Sequence, residues 1–213
     1  MKRILFFSAL FTIGLYAVRV AYTGSFLFLF IPWNLFLAWL PFFFSERMEA
    51  TAGKTAKLFW FGAWLLFWPN APYLITDLVH LRDGRGVPFY VDLILLFSAA
   101  WNGLLLGLLS LQRVEKQMLL YWQQWKVKCI LIFLFLLSGF GIYLGRYDRY
   151  NSWHILTRPG DLITDIAGYL SNPLQHIHTW AVTILFAAVF ALVYETMREL
   201  QIHSRIKTDS NTL

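Results

Sequence analysis

Six long apolar segments constrain what this chain can fold into. An α-helix needs about 20 predominantly apolar residues to cross the hydrocarbon core of a bilayer, and each segment approaches that length. With 58 % hydrophobic and 14 % charged residues, the 213-residue sequence predicts an all-α polytopic membrane helix bundle, a single integral membrane domain over residues 1–213. The predicted spans are 4–22, 26–44, 58–80, 90–111, 127–145 and 174–197.

The basic residues are distributed unevenly over the two sides of these spans. Cytoplasmic loops carry an excess of Lys and Arg, so the more basic side is predicted to be cytoplasmic, and both termini with it. Because the charges are dispersed among short loops, no nucleic acid is expected as a partner. The more basic side carries Lys2, Arg3, Arg47, Lys54, Lys57, Arg113, Lys116, Lys126, Lys128, Arg198, Arg205 and Lys207, and the other side carries Arg82, Arg85, Arg146, Arg149 and Arg158.

The end of the third predicted span, residues 68–81, is unusually polar. Ionisable groups at membrane depth are costly unless they face a bundle interior or a wet cavity, so these side chains are predicted to point inward. On a continuous α-helix, at about 100° per residue, one narrow face would carry a polar stripe of Asn70, Tyr73, Asp77 and His80.

Two prolines interrupt the same segment. Pro69 and Pro72 have no amide donor, so on an α-helix they would free the carbonyls of Leu65 and Trp68. A bent helix with free acceptors is either a packing kink or a binding site, and the sequence leaves both interpretations open.

The fourth predicted span contributes one acid and one pair of small residues. Asp92 lies near its outer end, where a carboxylate either faces the bundle or sits in the wet interface. Gly103 and Gly107 are four residues apart, a spacing that allows another helix to approach the backbone closely.

A second polar stretch, residues 145–154, follows the fifth predicted span. Arg146, Arg149 and Asn151 are suited to an anionic lipid headgroup, because guanidinium offers a paired donor fork to phosphate or carboxylate. The alternative is a basic and aromatic belt that only seats the helix. Beyond it, the spacing after Pro159–Gly160–Asp161 predicts a short surface helix capped by Asp161.

Three motifs carry a family resemblance: residues 69–81 (Pro-Asn-Ala-Pro-Tyr-Leu-Ile-Thr-Asp-Leu-Val-His-Leu), residues 90–92 (Tyr-Val-Asp) and residues 145–153 (Gly-Arg-Tyr-Asp-Arg-Tyr-Asn-Ser-Trp). In these motifs the chain resembles a bacterial family of multispanning membrane proteins, domain of unknown function 1361. The similarity covers most of the chain. It implies an integral protein of the bacterial cytoplasmic (inner) membrane and implies no activity. His154 stands where the family motif usually has Asp, and both residue types can move a proton or ligate a metal.

A divalent metal is one chemical hypothesis for this chain. Asp77 and His80 are three residues apart, so they are neighbours on a helix and candidate ligands. His154, His176 and His178 are expected on the same side of the membrane. An Asp-x-x-His pair is also frequently structural, and the chain has no His-Glu-x-x-His signature, so both interpretations stay open.

Three functions remain compatible with the sequence. The first is an enzyme that acts on a lipid or lipid-linked substrate at the outer membrane surface; the second is a small-solute transporter that uses the proline-broken helix; the third is a structural or assembly subunit that binds another membrane protein. For the enzyme, the candidate catalytic residues are Asp77, His80 and His154, and the candidate substrate-binding residues are Asn70, Tyr73, Asp92, Arg146, Arg149 and Asn151.

Overall fold

The computed structural model describes residues 2–84, 86–151 and 153–210, and these residues form helices and turns without strands. The predicted all-α fold is confirmed. Arg85 and Ser152, which belong to the sequence features described above, lie outside the described residues. The chain divides into two compact units, Met1–Val127 (unit 1) and Lys128–Leu213 (unit 2). The prediction of one membrane domain over the whole chain stays a prediction.

Unit 1 contains four segments that run alongside one another in alternating directions. The third is divided and is called the broken segment below. Ion pairs fix the ends: the start of α1 meets the end of α2 through Lys2 and Glu46 at 2.8 Å, and Glu46 meets the last third of α5 through Arg113 at 3.1 Å. The segments are α1 (Lys2–Thr23), α2 (Phe30–Ala50), the broken segment made of α3 (Lys54–Phe67), α4 (Asn70–Tyr73) and a 3-10 helix (Leu74–Asp83), and α5 (Phe89–Leu119).

Unit 2 is organised around two long helices that contact each other. An added Cβ at Gly139 would meet the Thr183 carbonyl, so the two backbones are close at this point. The Phe140 ring stacks on the Trp180 ring with centroids 5.9 Å apart. The helices of this half of the chain are α6 (Gln124–Arg146), α7 (His154–Thr157), α8 (Pro159–Ser171) and α9 (Ile177–Ser210).

Several helices are long and apolar enough to cross a membrane. In the described part of the chain they are Lys2–Thr23, Phe89–Leu119, Gln124–Arg146 and Ile177–Gln201. By length and composition alone, α2 and the broken segment do not meet this criterion, because α2 carries Asn34, Pro41 and Glu46, and the broken segment is divided into short pieces. The structure thus supports a membrane protein, whereas six spans stay a prediction.

The prolines change the helix type of the broken segment. The Trp68 carbonyl accepts a bond from the amide of Ala71 at 3.1 Å, so the prediction that this carbonyl is free is wrong. After α4 the chain continues as a 3-10 helix, with about three residues per turn. The predicted stripe on one continuous α-helix is therefore wrong in its geometry: the residues that share a face of the 3-10 helix are Leu74, Asp77, His80 and Asp83.

The broken segment is seated on the small-residue face of α5. An added Cβ at Gly103 would overlap the Ala71 carbonyl oxygen, and one at Gly107 would lie 3.1 Å from the Ala71 Cβ. Next to this contact, the fully buried rings of Trp64 and Trp68 stack at 5.3 Å. Their indole nitrogens donate to the Ser110 hydroxyl at 3.1 Å and to the Gly107 carbonyl at 3.2 Å, respectively.

We expect Gly103→Ala to destabilise the protein, because the new methyl would displace the backbone of α4. Overpacking of this kind costs about 1–3 kcal/mol. The measurement is the unfolding temperature of the purified protein in detergent. Gly62→Ala in α3 is the matched control, since a Cβ added there would meet no other described part of the chain within 4 Å, apart from the backbone of its own helix and its chain neighbours. Equal unfolding temperatures for the two variants would contradict the close contact.

Candidate functional site

Arg19 of α1 and Asp92 of α5 form a buried ion pair in unit 1. Their side chains are 0 % and 2 % exposed, and Nε of Arg19 lies 2.6 Å from Oδ1 of Asp92. The same guanidinium lies 4.5 Å above the ring of Phe28. Asp92 thus faces the bundle, and its predicted part in substrate binding stays a prediction.

Sequence reasoning missed Arg19 as a partner, although a signal was present. Arg19 follows Thr12 and Tyr16 at helical spacing within an apolar span, and all three side chains are buried. A polar stripe on α1 requires polar partners on another helix. Thr12 donates to the Ser98 hydroxyl of α5 at 3.1 Å, so the stripe marks the α1–α5 contact.

The backbone at Gly84 lies against the Asp92 carboxylate of this buried ion pair. Gly84 follows the 3-10 helix, and a Cβ added there would overlap the Asp92 carboxylate. Only a glycine allows the backbone to come this close to the carboxylate. Asp92 therefore joins α1, α5 and the end of the broken segment.

Asp77 faces the interior, as predicted for the polar stretch. It is 2 % exposed, and its Oδ2 accepts a hydrogen bond from the Asn34 amide of α2 at 2.9 Å. Tyr73 and Asn70 are half-buried, and the Asn70 amide donates to the Phe67 carbonyl at 3.0 Å across the proline break. The bond from Asn34 holds the broken segment against α2, and the bond from Asn70 satisfies the Phe67 carbonyl.

His80 forms its closest described bond with Asp83, one 3-10 turn further along. The Nδ1 of His80 lies 2.8 Å from Oδ2 of Asp83, and both side chains are partly exposed. An ionised carboxylate only accepts, so Nδ1 is the donor in this bond. Sequence reasoning paired His80 with Asp77 and missed Asp83, because the predicted span ended at residue 80, whereas the 3-10 helix continues through Asp83.

A surface cleft of about 580 Å³ lies where α1 and the 3-10 helix end. Arg82 and Asp83 supply its charged groups, and both are exposed. Since Asp83 also bonds His80, the cleft adjoins an imidazole, a carboxylate and a guanidinium. Its described lining consists of Thr23, Ser25, Leu27, Arg82, Asp83 and Gly86.

The second polar stretch forms a tight turn in unit 2. Arg149 adopts a left-handed backbone with φ of 59°, and the Tyr150 amide returns to the Leu144 carbonyl at 3.0 Å. The backbone amide of Asn151 donates a hydrogen bond to Nδ1 of His154 at 3.1 Å, so the His154 side chain closes the turn that begins at Asn151. The predicted roles of Arg146, Arg149, Asn151 and His154 at a site, and their convergence with Asp77, stay predictions.

Two phenol–carboxylate bonds connect this turn to α8. The Tyr150 hydroxyl donates to Asp165 at 2.6 Å, and the Tyr169 hydroxyl donates to Asp148 at 2.8 Å. The bond to Asp165 raises the pKa of Tyr150 to about 12. Burial, followed by the bond to Asp148, raises the pKa of Tyr169, and burial raises the pKa of Asp148.

Metal ligation has little geometric support in the described residues. No group of three or more His, Cys, Asp or Glu side chains comes together there as a ligand set. The candidate ligands Asp77 and His80 make their described bonds to Asn34 and Asp83, respectively. A divalent metal at this pair stays a prediction.

Comparison with known proteins identifies the family. The family model described as Protein of unknown function (DUF1361) matches residues 33–193. The chain belongs to this family. The resemblance inferred from the sequence motifs is thus confirmed, and the match contains Asn34, Asp77 and Asp92 but not α1. No curated protein and no solved structure matches the chain.

We expect Arg19→Met to destabilise the protein by about 3–5 kcal/mol, because it leaves the Asp92 carboxylate buried without its counter-ion. The double variant Arg19→Met, Asp92→Leu should recover most of this loss, since no unpaired charge remains. Unfolding temperature in detergent and abundance in the membrane are the measurements. Arg3→Met, at an exposed position of α1, is the control. If the single and double variants lowered the unfolding temperature equally, the result would contradict the pairing of Arg19 with Asp92.

The raised pKa of Tyr150 predicts a defined pH dependence of the turn. The folded value of about 12 lies above the ordinary 10.0, so the stabilisation is fully present below pH 10 and is lost as the pH rises through 12. The measurement is the phenolate absorbance of the wild type minus that of Tyr150→Phe across this range. Asp165→Asn should lower the pKa of Tyr150. A transition of Tyr150 at its ordinary pKa in the folded wild type would contradict the bond.

Proposed function

We propose that the protein is a six-pass protein of the bacterial inner membrane that acts on a lipid or lipid-linked substrate at the outer membrane surface. In this proposal both termini are cytoplasmic, and the cleft of unit 1 opens to the outside. The single observation that carries the proposed chemistry is the His80–Asp83 pair beside a cleft that contains Arg82.

Six passes are supported by how the segments of unit 1 lie against α5. The broken segment contacts α5 near both ends of α5. Lys57 lies 3.0 Å from Gln117 near the end of α5, and Gly84, directly after the broken segment, adjoins Asp92 near the beginning of α5. A segment that follows a membrane-spanning helix along nearly its whole length crosses the same layer. The salt bridges of Glu46 to Lys2 and Arg113 support the same conclusion for α2.

The polar residues that lower the hydropathy of α2 are compatible with a membrane pass. Asn34 bonds to Asp77, and Glu46 bonds to Lys2 and Arg113, so both have partners within unit 1. Polar groups with partners inside a bundle are tolerated at membrane depth. The uneven distribution of Lys and Arg then supports cytoplasmic termini.

The proposed chemistry assigns one role to each charged residue at the cleft. Asp83 accepts from Nδ1 of His80 and fixes the orientation of the imidazole, which acts as the general base, a contribution typically worth about 10²–10⁴-fold in rate. Arg82 binds an anionic group of the substrate, because guanidinium pairs with phosphate or carboxylate through two parallel hydrogen bonds. Asp77, held by Asn34 in the interior, is a positioning residue for the 3-10 helix.

The proposal is tested by lipid profiling of a strain that lacks the gene. We expect at least one lipid or lipid-linked species to accumulate, and wild-type protein to remove it. His80→Gln and Arg82→Gln should fail to remove it at normal abundance, because the fold does not depend on these partly exposed residues. His203→Gln, at an exposed histidine of α9, is the matched control. An unchanged lipid profile would sink the enzyme proposal and favour a transporter or an assembly subunit.

The orientation is tested separately by cysteine labelling. The exposed Cys129 is first replaced by alanine, because it would react itself. An impermeant maleimide should then label Ser171→Cys on intact cells, whereas Gln123→Cys should react only after permeabilisation. Both positions are exposed, so access to the reagent decides the result. The reverse pattern would overturn the proposed orientation.

A further inference from the structure

The amphipathic helix α8 has an apolar face that the described part of the chain leaves uncovered. None of its described side chains is buried, and Ile163 and Leu170 are 65 % and 62 % exposed. Ile166 lies between them on the same arc of the helix, whereas Asp161, Thr164 and Gly168 occupy the opposite arc. Such a division predicts that one side of α8 meets an apolar phase and the other meets water.

One edge of α8 is fixed against the end of α6. The Tyr169 ring contacts the rings of Tyr143 and Phe140 edge to face, with centroids 5.6 Å and 6.1 Å apart. The Tyr169 hydroxyl also reaches Asp148, and Asp165 accepts from Tyr150. These contacts hold α8 beside the last turns of α6, where a membrane-spanning helix leaves the hydrocarbon core.

Exposed apolar side chains also follow α8 along the chain, in the connection to α9 and in α9 itself. Leu174 and Ile177, in the connection and at the start of α9, are 89 % and 70 % exposed, and Ile184 and Leu185 follow further along α9. Because α9 is long and apolar enough to cross a membrane, its exposed apolar side chains face lipid. The same phase is therefore available to the face of α8.

We propose that α8 lies along the membrane surface, with Ile163, Ile166 and Leu170 at the boundary between headgroups and acyl chains. An interfacial helix buries its apolar face about 5–10 Å into this boundary. In this proposal the lipid bilayer covers the apolar face of α8. This arrangement places the turn that contains Arg149 at the level of the headgroups, where its phenol–carboxylate bonds to α8 are made.

The charged residues of α8 indicate which interaction holds this helix at the membrane surface. Pro159–Ser171 contains Asp161 and Asp165 but neither Lys nor Arg. Interfacial helices that depend on anionic lipids carry basic residues on their polar face. Insertion of α8 therefore depends on burial of its apolar side chains and does not require anionic lipid.

The proposal is tested on full-length protein, with Cys129 replaced by alanine, in vesicles of phosphatidylcholine. A single cysteine is introduced at Ile163 or Leu170 on the apolar face, or at Thr164 on the polar face as the matched control, and each is labelled with an environment-sensitive fluorophore. Emission at Ile163 and Leu170 should shift to the blue and be quenched by lipids that carry a doxyl group on the acyl chain. Emission at Thr164 should be quenched by aqueous iodide instead.

Three outcomes would overturn the proposal. Equal quenching of all three labels by iodide places α8 in water. Protection of the Ile163 and Leu170 labels from both quenchers means that protein, from this chain or a second copy, covers the face. A blue shift that requires one third phosphatidylglycerol in the vesicles means that electrostatic attraction, rather than apolar burial, holds α8. Circular dichroism of each labelled variant shows that its helical content is retained.

Discussion

A charge buried in an apolar bundle must be paired, and the architecture of unit 1 follows from this requirement. Arg19 and Asp92 neutralise each other where α1 meets α5. Breaking such a pair costs far more than an exposed salt bridge contributes, so the pair fixes which residues of the two helices lie side by side. Asn34 and Asp77 fix α2 and the broken segment against each other through a side-chain hydrogen bond. These polar contacts, together with the close approach of the broken segment to Gly103 and Gly107 of α5, specify the relative positions of the helices in unit 1.

The two prolines divide the predicted third span into α3, α4 and a 3-10 helix. Because Pro69 and Pro72 cannot donate, the chain passes from α3 through one short turn into a 3-10 helix. The glycine face of α5 accommodates the displaced backbone, which explains why a bend of this kind is tolerated inside the bundle. The 3-10 helix that follows the break continues through Asp83 and places His80 and Asp83 on one face, beside the cleft.

The sequence predicted the elements of this structure better than their partners. Hydrophobic periodicity located the helices, and the cost of polar groups in lipid correctly predicted that Asp77 faces inward. Arg19 was missed as the partner of Asp92 because contacts between residues far apart in sequence depend on the relative positions of helices, which periodicity does not encode. Asp83 was missed because the predicted span ended at residue 80, whereas the 3-10 helix continues through Asp83. The loop role of His154 depends on the left-handed backbone at Arg149, which is unusual for a residue other than glycine.

Two consecutive residues, Asp83 and Gly84, connect the surface cleft with the buried Arg19–Asp92 ion pair of unit 1. Asp83 lines the cleft, and the backbone of the next residue lies against the Asp92 carboxylate. A molecule that displaced Asp83 on entering the cleft would also displace the backbone that lies against the Asp92 carboxylate. Occupancy of the cleft would then be coupled to the association of α1 with α5, and by reciprocity a change in that association would alter the affinity of the cleft.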